Sequence, residues 1–160
     1  MKFRHELLYD ASPREVFEML ADPAFREASC AAQDVISVEI ELERDGDAFT
    51  LVADQVQNTN DLPSFARTFA GHTTRAVQRE DWADDSGGTL RIETPGKPAD
   101  IAGTITLLAD GDGTREVVEL EVKVRLPLIG GKIEKLLGDK VAAGMDAEHD
   151  AGVAWLAGEG

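Results

Sequence analysis

The chain has 160 residues, 42% of them hydrophobic, which is enough for one domain with one substantial core. Its 16 lysines and arginines against 31 aspartates and glutamates give a formal net charge of −15, a field that repels phosphate backbones and anionic membrane surfaces. Nucleic acid is therefore not an expected partner, and no apolar run approaches the ~18 residues that crossing a bilayer requires.

The opening MKFRHELLYD lacks the apolar core of a signal peptide, and the single cysteine, Cys30, excludes an internal disulfide and a multi-thiolate metal site. A cytoplasmic protein comprising one domain over residues 1–160, without integral membrane association, is expected.

Residues 2–9 read as a strand with Phe3, His5, Leu7 and Tyr9 on its inward side. Ser12-Pro13-Arg14-Glu15 then supplies a capping hydroxyl, a proline at the first helical position and a glutamate able to reach back to the cap. Asp22-Pro23 repeats the signal, so two short helices follow the first strand.

From Gln33 the period becomes two: Ile36, Val38, Ile40 and Leu42 alternate with polar residues, and Asp45-Gly46 closes a hairpin onto a strand over 48–58. DLPSFARTFAG interrupts the strands, and Phe65 and Phe69, one helical turn apart, suggest a short helix or loop over the sheet.

Further strands are expected at 73–82, 89–94 and 101–108, the first two linked by Asp85-Ser86-Gly87-Gly88 and the next two by a turn at Pro95-Gly96. Asp110 to Gly113 turn into the last strand, where Val118, Leu120, Val122, Val124 and Leu126 oppose Glu119, Glu121, Lys123 and Arg125.

The C-terminal segment from Gly131 to Leu156 reads as a helix of ~26 residues, roughly 39 Å long. Ile133, Leu137, Val141, Gly144, Glu148, Ala151 and Trp155 share one face of it. Pro127, Gly130 and Gly131 are expected to make the joint, with Glu134 beside the free N–H groups of the first turn.

The predicted class is α+β: a curved seven-stranded antiparallel sheet wrapped around one long C-terminal helix. ASPREVFEMLADPAF after the opening strand, the run of antiparallel strands and LPLIGGKIEKLL together resemble the START-like superfamily, also called Bet v 1-like, with its helix-grip fold. PSFARTFAG and VQREDW are similar to a bacterial branch of that superfamily described as a domain of unknown function.

The resemblance implies an apolar cavity between sheet and C-terminal helix, holding a small hydrophobic molecule or lipid. His5, Tyr9, Arg75 and Glu148 are then expected at the ligand's polar end. Phe65 and Phe69 would close the entrance, with Trp82, Val141 and Met145 as lining. Glu148 falls within an apolar stripe and needs a partner, with Arg75, His5 or the ligand as candidates.

Other chemistries lack their patterns. Gly130-Gly131-Lys132 is followed by Ile133 rather than Ser or Thr, which denies a phosphate loop, and DGDGTREVVELE has Arg115 where a calcium loop needs glycine. His5, His72 and His149 show no metal spacing, and no GxSxG is present.

No catalytic residue, metal site or cofactor is assigned on these patterns. An enzyme of the cyclase, aromatase or dehydratase type, using His5 or Glu148 to move a proton, remains the alternative. A protein-interaction module presenting acidic strand faces is another.

Overall fold

The computed structural model describes residues 1–33 and 35–158; Asp34, in the stretch where the two-residue period starts, lies outside them. The elements are β1 (Lys2–Tyr9), α1 (Pro13–Leu20), α2 (Pro23–Ala32), β2 (Ser37–Asp45), β3 (Ala48–Asn58), α3 (Ser64–Ala70), β4 (Thr73–Asp84), β5 (Gly87–Glu93), β6 (Ala99–Asp110), β7 (Gly113–Val124) and α4 (Gly130–Leu156).

All seven strands form one antiparallel sheet in the order β1-β7-β6-β5-β4-β3-β2. Each strand from β2 to β6 pairs with the next in sequence, and β7 also pairs with β1. The α1–α2 pair carries the chain from β1 at one edge to β2 at the other, and α4 returns across the concave face.

The caps form as the sequence predicts. Glu15 N–H donates to the Ser12 hydroxyl while the Glu15 carboxylate accepts from Ser12, and Asp22 accepts from Ala24 N–H. The helix-grip architecture thus follows from strong local start signals and sustained strand alternation.

Three expectations change in detail. β7 begins at Gly113, because Asp110 pairs directly with Gly113 across a two-residue turn. It ends at Val124, since Arg125 N–H still donates to Pro98 but Pro127 has no N–H to offer.

The joint into α4 is also different. Its left-handed residue is Leu128, with φ 69°, and not a glycine of the pair. Gly130 is required for closeness instead: a Cβ there would stand 2.8 Å from the Val124 carbonyl oxygen, whereas one on Gly131 would meet nothing.

Glu134 does not cap the helix either. Its carboxylate accepts from Val124 N–H at 2.9 Å and lies 3.6 Å from the N-terminal ammonium, pinning the end of β7 to α4. Gly103 is a point of close strand approach, since a Cβ there would run into the Glu119 carbonyl of the neighbouring strand.

Candidate functional site

The two ends of the concave face are built differently. Beneath α1, Phe17, Phe49 and Trp82 pack together, the last two stacked at 5.3 Å with planes 15° apart, and Phe17 has no exposed surface. Toward the other end the inward positions are small or polar, and a cavity of about 150 Å³ opens between the sheet, α3 and α4.

One wall of the cavity is apolar: Leu90, Ile92, Ile101, Ile105 and Val118 from the sheet, with Ile133, Leu137, Val141 and Met145 from α4. The opposite wall carries Gln55 and Gln57 of β3 and Gln78 of β4. Ala66, Ala70, Ala76 and Ala99 leave space by being small, whereas Gly144 marks a close approach, a Cβ there standing 2.8 Å from Gln33 Oε1. Phe69, Lys97 and Lys140 complete the lining, the Lys140 ammonium lying 3.5 Å from Asp61.

The deep end is a cluster of ionisable groups, three carboxyls around one guanidinium. Arg26, on α2, gives both Nη groups to Glu80 of β4 at 2.8 and 3.0 Å and its Nε to the Leu20 carbonyl at 2.7 Å. Glu80 also accepts from Gln78 Nε2 at 2.7 Å and from the Trp82 indole N–H at 3.0 Å. This pair is buried and fully satisfied.

Glu148 reaches the same cluster from α4. Its Oε2 accepts from the Ser29 hydroxyl at 2.7 Å and lies 3.6 Å from Arg26. Burial acts against the charge of Arg26, and Glu80 and Glu148 more than offset it, so the guanidinium is held charged. Burial also pushes the Glu148 carboxyl up, opposed by Arg26.

Glu116 is the odd member. It is 3% exposed on the inward face of β7, between Leu7 of β1 and Leu107 of β6 in register, and it lines the cavity. Its fully buried Oε1 has no hydrogen-bond partner among the described residues. Burial, then Glu148 and Glu80, push its carboxyl up to about 8, so it carries a proton at neutral pH.

Of the residues expected at the site, Phe69, Val141, Met145 and Glu148 line the cavity. The others lie elsewhere. His5 turns its Nε2 to Asp146 at 2.7 Å, and Arg75 points outward into a pair with Asp54. Trp82 belongs to the aromatic end, touching the cluster only through its N–H. Phe65 is 38% exposed on the outer side of α3.

Tyr9 is buried against His149, ring centroids 4.8 Å apart, and close to Gly152, where a Cβ would stand 2.9 Å from its ring. Its hydroxyl is unpartnered among the described residues, and burial with the neighbouring Glu116 raises its pKa. Glu148 therefore finds its partners in Ser29 and Arg26, in place of Arg75 or His5.

Four residues of the cluster escaped the sequence reading although each carried a signal. Extending the β7 alternation back from Val118 puts Glu116 inward, and extending the β4 alternation from Trp82 puts Glu80 inward and Arg75 outward. Arg26 and Ser29, three apart on α2, share the face that carries Gln33, whose amide donates to Ser29.

Cys30 is buried beside this cluster, and burial pushes its thiol up to about 11, which keeps it an inert packing residue. Among the described residues no group of His, Cys, Asp and Glu could hold a metal ion, and no helix is long and apolar enough to cross a membrane.

The sheet gripping α4 across a cavity is the helix-grip fold, shared with Bet v 1-like proteins. Solved structures with this fold include TTHA0849 from Thermus thermophilus, 23% identical with a TM-score of 0.65 over 96% of this chain and 98% of that chain. Ara h 8.0201 is 15% identical with a TM-score of 0.64 over 96% and 98%. Norcoclaurine synthase from Thalictrum flavum is 15% identical with a TM-score of 0.61 over 98% and 86%.

The family described as "Protein of unknown function (DUF2505)" matches residues 4–156, and the chain belongs to that family. Uncharacterized proteins of Mycobacterium tuberculosis and Mycobacterium bovis are 22% identical to it over 92% of this chain and 92% of theirs.

Proposed function

We propose that the protein binds a small, mainly apolar molecule in the cavity between the sheet and α4, as a binding or carrier protein. The observation that carries this reading is a space of about 150 Å³ in a fold whose other end is densely packed. A void left at such a position costs dispersion and burial energy unless something fills it. A cavity of ~150 Å³ is the size that takes a benzene-like ring.

The fold neighbours support an organic occupant. Norcoclaurine synthase from Thalictrum flavum, 16% identical, is known in complex with dopamine and hydroxybenzaldehyde. In this chain Val141 and Met145 would contact the apolar body, Phe69 would stand at the entrance, and Glu148 would face the polar end.

Native mass spectrometry of the protein purified from its host tests the reading. A copurified small molecule, displaced by aromatic or fatty-acid probes, is the expected result. An empty protein that takes up none of these probes contradicts it.

A further inference from the structure

We infer that the molecule held in this cavity carries an ammonium group, seated against Glu116 and Glu148 at the deep end. The inference rests on the binding reading above and adds the chemical class of the ligand.

Arg26 has no free donor for a ligand. Its Nε and both Nη groups are committed to Leu20 and Glu80. The Glu80 oxygens in turn are taken by Arg26, Gln78 and Trp82. That pair closes on itself and leaves neither charge nor donor for a ligand.

Two carboxyl groups remain. Glu148 has one oxygen engaged, by Ser29, and Glu116 offers the cavity a buried carboxyl whose Oε1 lacks any donor among the described residues. A buried acceptor without a donor costs free energy, more when it is ionised. A bound anion would worsen the charge, and an acceptor-only group could take the proton of neutral Glu116 but would bring no positive charge to the carboxyl cluster.

A neutral hydroxyl could donate one hydrogen bond. An ammonium can donate up to three and also brings a positive charge to a cluster in which Glu80 and Glu148 share one guanidinium and Glu116 can ionise only if compensated.

The opposite end orients such a molecule. Lys97, between β5 and β6, and Lys140, paired with Asp61 at 3.5 Å, line the cavity away from the carboxyl cluster, so a cationic group is favoured at the carboxylate end. The apolar wall between them receives a ring or short alkyl chain, and Gln55 and Gln78 supply edge contacts on the other side.

A linked proton follows from this placement. Free Glu116 faces Glu148 of α4, Glu80 of β4, Arg26 of α2 and Tyr9 of β1, and it holds a proton up to about pH 8. An ammonium beside it favours the ionised form, so binding at pH 7 expels that proton into buffer.

Isothermal titration of the full chain with 4-phenylbutylamine, 4-phenylbutanol and 4-phenylbutyrate, in buffers of different ionisation enthalpy, tests the inference. The amine is expected to bind on the order of tenfold more tightly than the alcohol, with the carboxylate weakest, since a charge-assisted bond outweighs a neutral one. The amine alone should show buffer-dependent heat from proton release. Glu116→Gln, and separately Glu148→Gln, should cut amine affinity more than that of the alcohol.

Equal binding of amine and alcohol, or equal loss of both in the two variants, overturns the ammonium assignment and leaves the cavity reading standing. Binding of none of the three probes overturns both.

Discussion

The closed and open ends of the concave face use the same sheet and the same period-two alternation, yet one is filled and the other is not. At the closed end the inward positions are Phe49, Leu51 and Trp82, capped by Phe17 of α1. Farther along the same two strands they become Gln55 and Ala76. Side-chain volume, not backbone topology, decides where the cavity lies.

Several substitutions should separate the two ends. Removing Arg26 has the largest expected effect, because Arg26→Met leaves Glu80 charged and uncompensated in the interior. A loss of ~3–5 kcal/mol in urea unfolding is predicted, and an unchanged midpoint would show that the pair does not hold α2 to the sheet.

Phe17→Ala should cost a similar ~3–5 kcal/mol by opening a hole in the closed end, without altering the affinity of an apolar probe. A parallel loss of affinity would mean that the two ends are not independent.

Glu116→Gln should act in the opposite direction. The folded protein keeps a proton on this carboxyl up to about 8, against an ordinary value of 4.5, so the acid's contribution to stability is fully present below pH 4.5 and lost as pH rises toward 8. The variant should therefore match the parent near pH 4.5 and exceed it by ~1–3 kcal/mol at pH 8, the range set by one buried unsatisfied acceptor. Melting curves across this window that run parallel would place Glu116 in a solvated environment.

Ala76→Leu adds volume to the open end and should cost no more than the ~1–3 kcal/mol of overpacking while displacing the probe. Retained probe affinity in a folded variant would move the binding site away from β4. Arg75→Ala, on the outer face beside Asp54, should change neither melting temperature nor binding.

The architecture was legible because each element carried its own signal: two proline-bearing caps, glycine-bearing hairpin turns and an amphipathic tail. The site was less legible because its polar members break the hydrophobic pattern used to find strands. Glu116 and Glu80 continue the inward rows of β7 and β4, yet acidic residues on a strand read as solvent-facing until a three-dimensional partner is known.

The partners come from α2, where Arg26 is 54 residues away from Glu80 in sequence. No local periodicity reports such a pairing. Conversely, Arg75 and Trp82 stand an odd number of residues apart on β4 and point to opposite faces, so the alternation that places the strand forbids both from facing one cavity.

The central claim is that the open end of the grip is a binding cavity, and methyl-resolved NMR during titration with 4-phenylbutylamine addresses it most directly. The account predicts saturable shifts concentrated at Ile92, Ile101, Ile105, Val118, Val141 and Met145, with Leu8 and Leu108 on the outer surface unmoved. Shifts scattered over exposed methyls such as Leu128, with none at those cavity positions, would contradict it.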